Sequence, residues 1–170
     1  MMKRIGVSTM AVFVIGAASI VASAADATTA RFDKLKALAG DWTKSDGDGS
    51  VAATYRVTAG GSAVLETLHP GAADEMVTIY TVDKGDVVMT HYCAVGNQPH
   101  MKAVRGGDAN AIDFKFDGGG NIKSPNDPHM HEATFAFKDA DHVISTWQFF
   151  KDGKPGEKAG THLITLRWQD

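Results

Sequence analysis

The chain has 170 residues, 17 basic and 20 acidic side chains, a formal charge of −3 and a single cysteine. A chain of this size suits one domain that buries most of its apolar surface, with no room for a second. The acidic balance, with no basic run or basic–aromatic stripe, argues against nucleic acid as a partner, and the lone Cys93 excludes an intramolecular disulfide.

Residues 1–24 read as a secretory signal. Lys3 and Arg4 precede an apolar, Ala-rich stretch from Ile5 to Val21, and Ala22-Ser23-Ala24 is an A-x-A processing site. Processing before Ala25 leaves residues 25–170 as the folded domain, periplasmic or secreted, with no membrane span once the signal is gone. Phe32, Leu35 and Leu38 then fall at helical spacing and stop at Gly40, which predicts a short N-terminal helix.

Everything after that helix reads as strand and turn. Expected strands cover 40–44, 51–57, 62–69, 75–82, 87–93, 100–105, 111–116, 129–137, 142–150 and 161–168, separated by Gly-, Asp- and Asn-rich links that include Gly118-Gly119-Gly120 and the stretch from Lys151 to Gly160. About ten short strands at regular spacing predict an all-β, antiparallel up-and-down barrel, closure being the economical way to remove sheet edges.

Alternation assigns faces. Ile112, Phe114 and Phe116 alternate with Asp113 and Lys115, so the first set faces a core; Phe135 with Phe137, and Val143, Ser145, Trp147 and Phe149, form further rows, the last with a polar gap at Ser145. The parity of 62–69 is open: Val64, Glu66 and Leu68 oppose Ala63, Leu65 and Thr67. If the first row points inward, Glu66 is a carboxylate inside the barrel.

Two short patterns carry the chemistry. His91-Tyr92-Cys93 and His129-Met130-His131 set possible metal ligands two residues apart, the spacing that sends both side chains to one face of a strand. Barrel closure would bring His91, Cys93, His129 and His131 into one interior, where imidazole and thiolate suit zinc, copper or iron. Pro99-His100-Met101 and Pro128-His129-Met130 repeat a tripeptide at two strand starts, a set compatible with copper. The plainer reading is hydrogen-bonded histidines and a buried apolar cysteine. Glu66 or His91 could serve as acid or base in an apolar pocket, but no nucleophile motif such as G-x-S-x-G accompanies them.

The helix leading into Gly40-Asp41-Trp42, the all-β remainder, and Arg167 within Leu166-Arg167-Trp168 resemble the calycin group of lipocalins, fatty-acid-binding proteins and their bacterial relatives. The wording from Tyr55 to Met101 is also similar to small exported bacterial proteins of unknown function described as lipocalin-like. The resemblance implies that Trp42 closes one end of the barrel and that Arg167 packs over it, both as structural residues. By architecture it extends to nitrobindins, barrels that hold haem through one histidine near the mouth; His129, His131 and His91 are then the nominees, in that order.

Taken together, the expectation is an exported barrel that binds a small apolar or partly polar molecule. Phe114, Phe116, Phe135, Phe137 and Trp147 form its apolar wall, with Glu66, His91, His129 and His131 as anchors and a metal ion or haem as candidate cofactor. An enzyme acting inside the barrel is the alternative, and a structural envelope protein the third reading.

Overall fold

The computed structural model describes residues 24–166, so the expected signal segment except Ala24, together with Arg167, lies outside the described residues. Helix α1 (Ala24–Lys36) precedes ten strands: β1 (Gly40–Lys44), β2 (Val51–Thr58), β3 (Ala63–Leu68), β4 (Met76–Asp83), β5 (Asp86–Tyr92), β6 (Gln98–Ala103), β7 (Ala111–Gly120), β8 (His129–Phe137), β9 (His142–Lys151) and β10 (Lys154–Thr165). Each strand pairs antiparallel with the next, and β10 returns to β1 through Trp42 opposite Thr165, closing the sheet. The expected up-and-down barrel is the observed one, consistent with a calycin-like architecture. No described helix is long and apolar enough to cross a membrane.

Local chemistry explains the hairpins. Lys84-Gly85 and Asp152-Gly153 hold positive φ at both turn residues (48° and 81°; 54° and 74°), the mirror-image turn whose twist matches that of paired strands. Two stretches expected as turns are paired strand. Gly118-Gly119-Gly120, expected as a turn, forms the end of β7, where Gly119 lies so close to β6 that a Cβ would sit 2.5 Å from the Gln98 carbonyl oxygen and 2.8 Å from the Pro99 Cα. Glycine there permits backbone contact within a strand. Residues 154–160, also expected as turn, belong to β10; they are exposed along both faces, so no apolar alternation marks them, and main-chain pairing with β9 holds them.

Helix α1 covers one end of the barrel. Its buried Phe32 and Leu35, with Leu38 just beyond, complete the core there, each contributing roughly 2 kcal/mol by burial. Trp42, buried at the base of β1, donates from its indole nitrogen to the Leu38 carbonyl at 2.7 Å and meets Tyr55 edge-on at 6.4 Å. Thr28 donates to the Gly85 carbonyl at 2.7 Å, and the Arg31 guanidinium donates to the carbonyls of Val104 and Gly106, so the helix is tied to two hairpin turns. Asp86, buried at the same end, takes a two-pronged hydrogen bond from Arg105 (2.6 and 3.0 Å) and an ion pair from Lys102 (2.7 Å). Those partners hold its carboxyl well below the usual range.

Candidate functional site

Register resolves the ambiguous parity of β3. Tyr55 lies opposite Glu66, Glu66 opposite Thr78, and Thr78 opposite His91. Directly opposed residues share a face, so these four side chains form one polar row across β2 to β5 on the inside of the barrel. All four are almost fully buried. The neighbouring row, Val64, Tyr80, Met89 and Met101, is buried in the core with Phe114 and Phe135. Tyr80 packs on Phe114 and Phe135 at 5.9 and 5.8 Å between ring centroids.

Glu66 is the acceptor of this row. The Tyr55 and Tyr80 hydroxyls each donate to one carboxylate oxygen at 2.6 Å. Burial pushes the carboxyl up, while hydrogen bonds from Tyr55, Tyr80 and Thr78 pull it down. Burial and the neighbouring carboxylate push both phenols well above their ordinary range. Glu66 is therefore a polar core group, and it is not part of the cavity wall described next.

That cavity, about 250 Å³, occupies the barrel end away from the helix. Ala52, Leu68, Met76, Met130, Trp147 and Leu163 give it an apolar wall; His91, Ser145 and Thr161 add polar atoms, and Lys44 and His69 also border it. The His91 Nδ1 is 2.9 Å from the Thr78 hydroxyl, and its ring lies 4.8 Å from that of Trp147. Its Nε2 is buried and has no hydrogen-bond partner among the described residues. Burial pushes the imidazole down to about 4, so it stays neutral near neutral pH. The Trp147 indole donates to the Ser145 hydroxyl at 2.9 Å.

The remaining candidates separate from this wall. His129 and His131 come together at the start of β8, where the register slips between Met130 and Glu132, and stack against Phe116 and Phe150. The His129 Nδ1 sits 2.6 Å from the Asp127 carbonyl and its Nε2 lies 2.9 Å from the His131 Nδ1. A carbonyl only accepts, so His129 carries its proton on Nδ1, accepts at Nε2 from His131, and leaves the His131 Nε2 bare. Burial, then the neighbouring His129, pushes His131 down. Cys93 is half-buried in the β5–β6 turn, its amide donating to the Asn97 carbonyl at 3.0 Å. Among the described residues no three His, Cys, Asp or Glu side chains converge as an ion would require.

Of the expected aromatic wall, Trp147 lines the cavity and Phe114 and Phe135 are buried in the core. Phe116 backs the histidine pair, and Phe137 is half-buried beneath the Lys34 ammonium at 5.5 Å. Sequence reasoning missed Thr78, Thr161 and the anchoring capacity of Ser145. The polar gap at Ser145 in an otherwise apolar inward row was the available signal. No protein-family model matches the chain, and no curated protein matches it in sequence.

Proposed function

We propose that this is an exported barrel that binds a small, mostly apolar molecule in the cavity at its open end, anchored on His91. The observation that carries the reading is an apolar cavity walled in part by the buried His91, whose Nε2 has no hydrogen-bond partner among the described residues. A buried polar atom left unpaired costs ~1–3 kcal/mol, and a ligand recovers that cost where a packed core would not. The volume suits a compound of roughly benzene size or somewhat larger, since a dry cavity of about 150 Å³ accepts benzene. Catalysis is less well supported, because the described hydrogen bonds supply no nucleophile activated by His91.

A second reading, a metal ion or haem iron held at the barrel rim, draws on the bare Nε2 of His131. A nitrogen whose ring is fixed by a hydrogen bond on its other side is the form that binds metal. It offers a single donor, so we rank it below the cavity.

The test titrates ¹⁵N-labelled residues 25–170 with toluene and p-cresol. The expected result is saturable shifts of amides around Ala52, Leu68 and Leu163, lost when Ala52→Leu fills the space. Absence of saturable binding by either compound overturns the cavity reading. Native mass spectrometry with metal analysis on protein recovered from its own compartment tests the second: one equivalent of metal or haem, lost in His131→Ala, supports it.

A further inference from the structure

Strand β10 is flanked on both sides for only part of its length. From Leu163 to Thr165 it lies between β9 and β1, but from Lys154 to His162 its only strand neighbour among the described residues is β9. β1 ends at Lys44, and the Gly47 amide donates back to the Lys44 carbonyl at 3.1 Å, so the chain turns away from the sheet there. Three bonds fix which way the β10 main chain faces. The His162 carbonyl accepts from the Ser45 amide and the Leu166 amide donates to the Asp41 carbonyl, whereas the Thr165 amide donates to the carbonyl of Asp141, just before β9. Main-chain groups alternate sides along an antiparallel strand, so Lys158 and Gly160 face the same way as His162. Each points an N–H and a C=O to the open side, where no described main chain meets them.

Such an edge is a template for a further strand. Pro155 and the register slip between Pro155 and Lys158 blunt its outer part, but the stretch from Lys158 to Thr161 has neither device. It runs along a polar groove of about 400 Å³ bordered by Lys44, Asp46, Gly160 and Thr161. Lys44 and Thr161 also border the apolar cavity, and Ala159 lines it with them, so groove and cavity adjoin. Residues directly opposite on paired strands share a face. A chain added here would send the residue opposite Ala159 or Thr161 toward the cavity. A small organic molecule would use the cavity alone and leave the edge to water. An extended peptide matches both, since it carries main-chain donors and acceptors at strand spacing and a side chain on one face at every second residue.

We propose that the β10 edge from Lys158 to Thr161 takes up an extended peptide as an added antiparallel strand, seating one apolar side chain of Leu or Phe size in the cavity. The proposal rests on the cavity reading above and names its partner: the small apolar molecule is a side chain, and toluene is that of Phe in free form. The probe is the blocked peptide acetyl-Ser-Thr-Phe-Thr-Ser-amide. Three relatives accompany it: Phe replaced by Ala, both Thr nitrogens methylated, and the Phe nitrogen methylated. With Phe opposite Ala159, the two Thr N–H groups face the Lys158 and Gly160 carbonyls, and the Phe N–H faces away from β10.

Amide-shift titration of the ¹⁵N-labelled wild-type protein is expected to show the parent and the Phe-methylated peptide bound roughly tenfold more tightly than the other two, the worth of one buried side chain or about two hydrogen bonds. Saturating toluene should weaken the parent, and exchange of the Lys158 and Gly160 amides should slow in its complex. All changes lie in the ligand, so no outcome depends on a variant folding. Binding indifferent to methylation of the Thr nitrogens overturns the added strand, and binding indifferent to Phe or Ala overturns the seated side chain. Toluene binding without peptide binding overturns the proposal and leaves the cavity reading standing; failure of both overturns both. Protection of Lys158 and Gly160 that rises with protein concentration, without peptide, assigns the edge to a second copy and overturns the proposal as well.

Discussion

Two polar clusters lie inside this barrel, sharing one row of opposed residues, and they differ in completeness. Around Glu66, each carboxylate oxygen has a phenol at 2.6 Å. Around His91, one ring nitrogen is held by Thr78 and the other is buried without a partner among the described residues. A closed hydrogen-bond set has nothing left to offer a ligand and serves the architecture. An open one on a cavity wall retains affinity, and burial alone does not tell the two apart.

The largest expected effect breaks the closed cluster. Glu66→Leu strips both buried phenols of their acceptor and should destabilise the protein by about 4 kcal/mol, at ~1–3 kcal/mol for each unmet group. Replacing Tyr55 and Tyr80 by Phe in the same variant removes the stranded hydroxyls and should restore most of that loss. Urea unfolding measures both; a triple variant no more stable than Glu66→Leu would show that the cluster does more than satisfy itself.

Acid sharpens the contrast, because the two clusters respond with opposite sign. The His91 imidazole sits at about 4 instead of 6.5, so its contribution is fully present above pH 6.5 and is lost as pH falls toward 4. Integrated over that window the loss is at most about 3 kcal/mol. His131 is pushed in the same direction by burial, so the difference between wild type and His91→Phe isolates the His91 share. The Glu66 carboxyl is raised, so its contribution is present below its ordinary 4.5 and is lost as pH rises through the raised value. Unfolding free energies of wild type, His91→Phe and Glu66→Gln across pH 4–7 check both signs; a His91→Phe curve parallel to wild type would contradict the first.

The smallest effect lies at the bridge. Thr78→Val keeps the shape and removes the hydroxyl that holds His91 Nδ1, so stability should fall by only about 1 kcal/mol. The His91 proton, released from its partner, should redistribute between the two nitrogens. Nitrogen NMR reads this directly, and an unchanged tautomer would mean that Thr78 does not set it.

The architecture was legible in the sequence because alternation and turn chemistry act locally. The spacing of Phe32, Leu35 and Leu38 and the alternation of Ile112, Phe114 and Phe116 needed no knowledge of distant neighbours. The strand segments at Gly118–Gly120 and Lys154–Gly160 escaped because close backbone approach and main-chain pairing leave no apolar pattern. The site was less legible for a related reason. Pairing His91 with His129 and His131 followed from shared spacing, but which strands face each other at one level of a barrel is a property of register. Register set His91 beside Thr78 and Glu66, and it set His129 and His131 between Phe116 and Phe150. Ser145 showed only as an interruption, since a hydroxyl's worth depends on which neighbour takes its lone pair.

The helix-capped end carries a consequence for traffic. With Phe32, Leu35 and Leu38 seated in that end and Thr28 and Arg31 each fastened to one of its turns, the barrel is a cup and not a tube. On the cavity reading, a bound molecule would enter and leave by the end away from the helix, where Lys44 and His69 border the cavity. Uptake and release then share one barrier. Residues at that lip would change the two rates together and leave affinity nearly untouched, whereas the floor sets how tightly the cup holds.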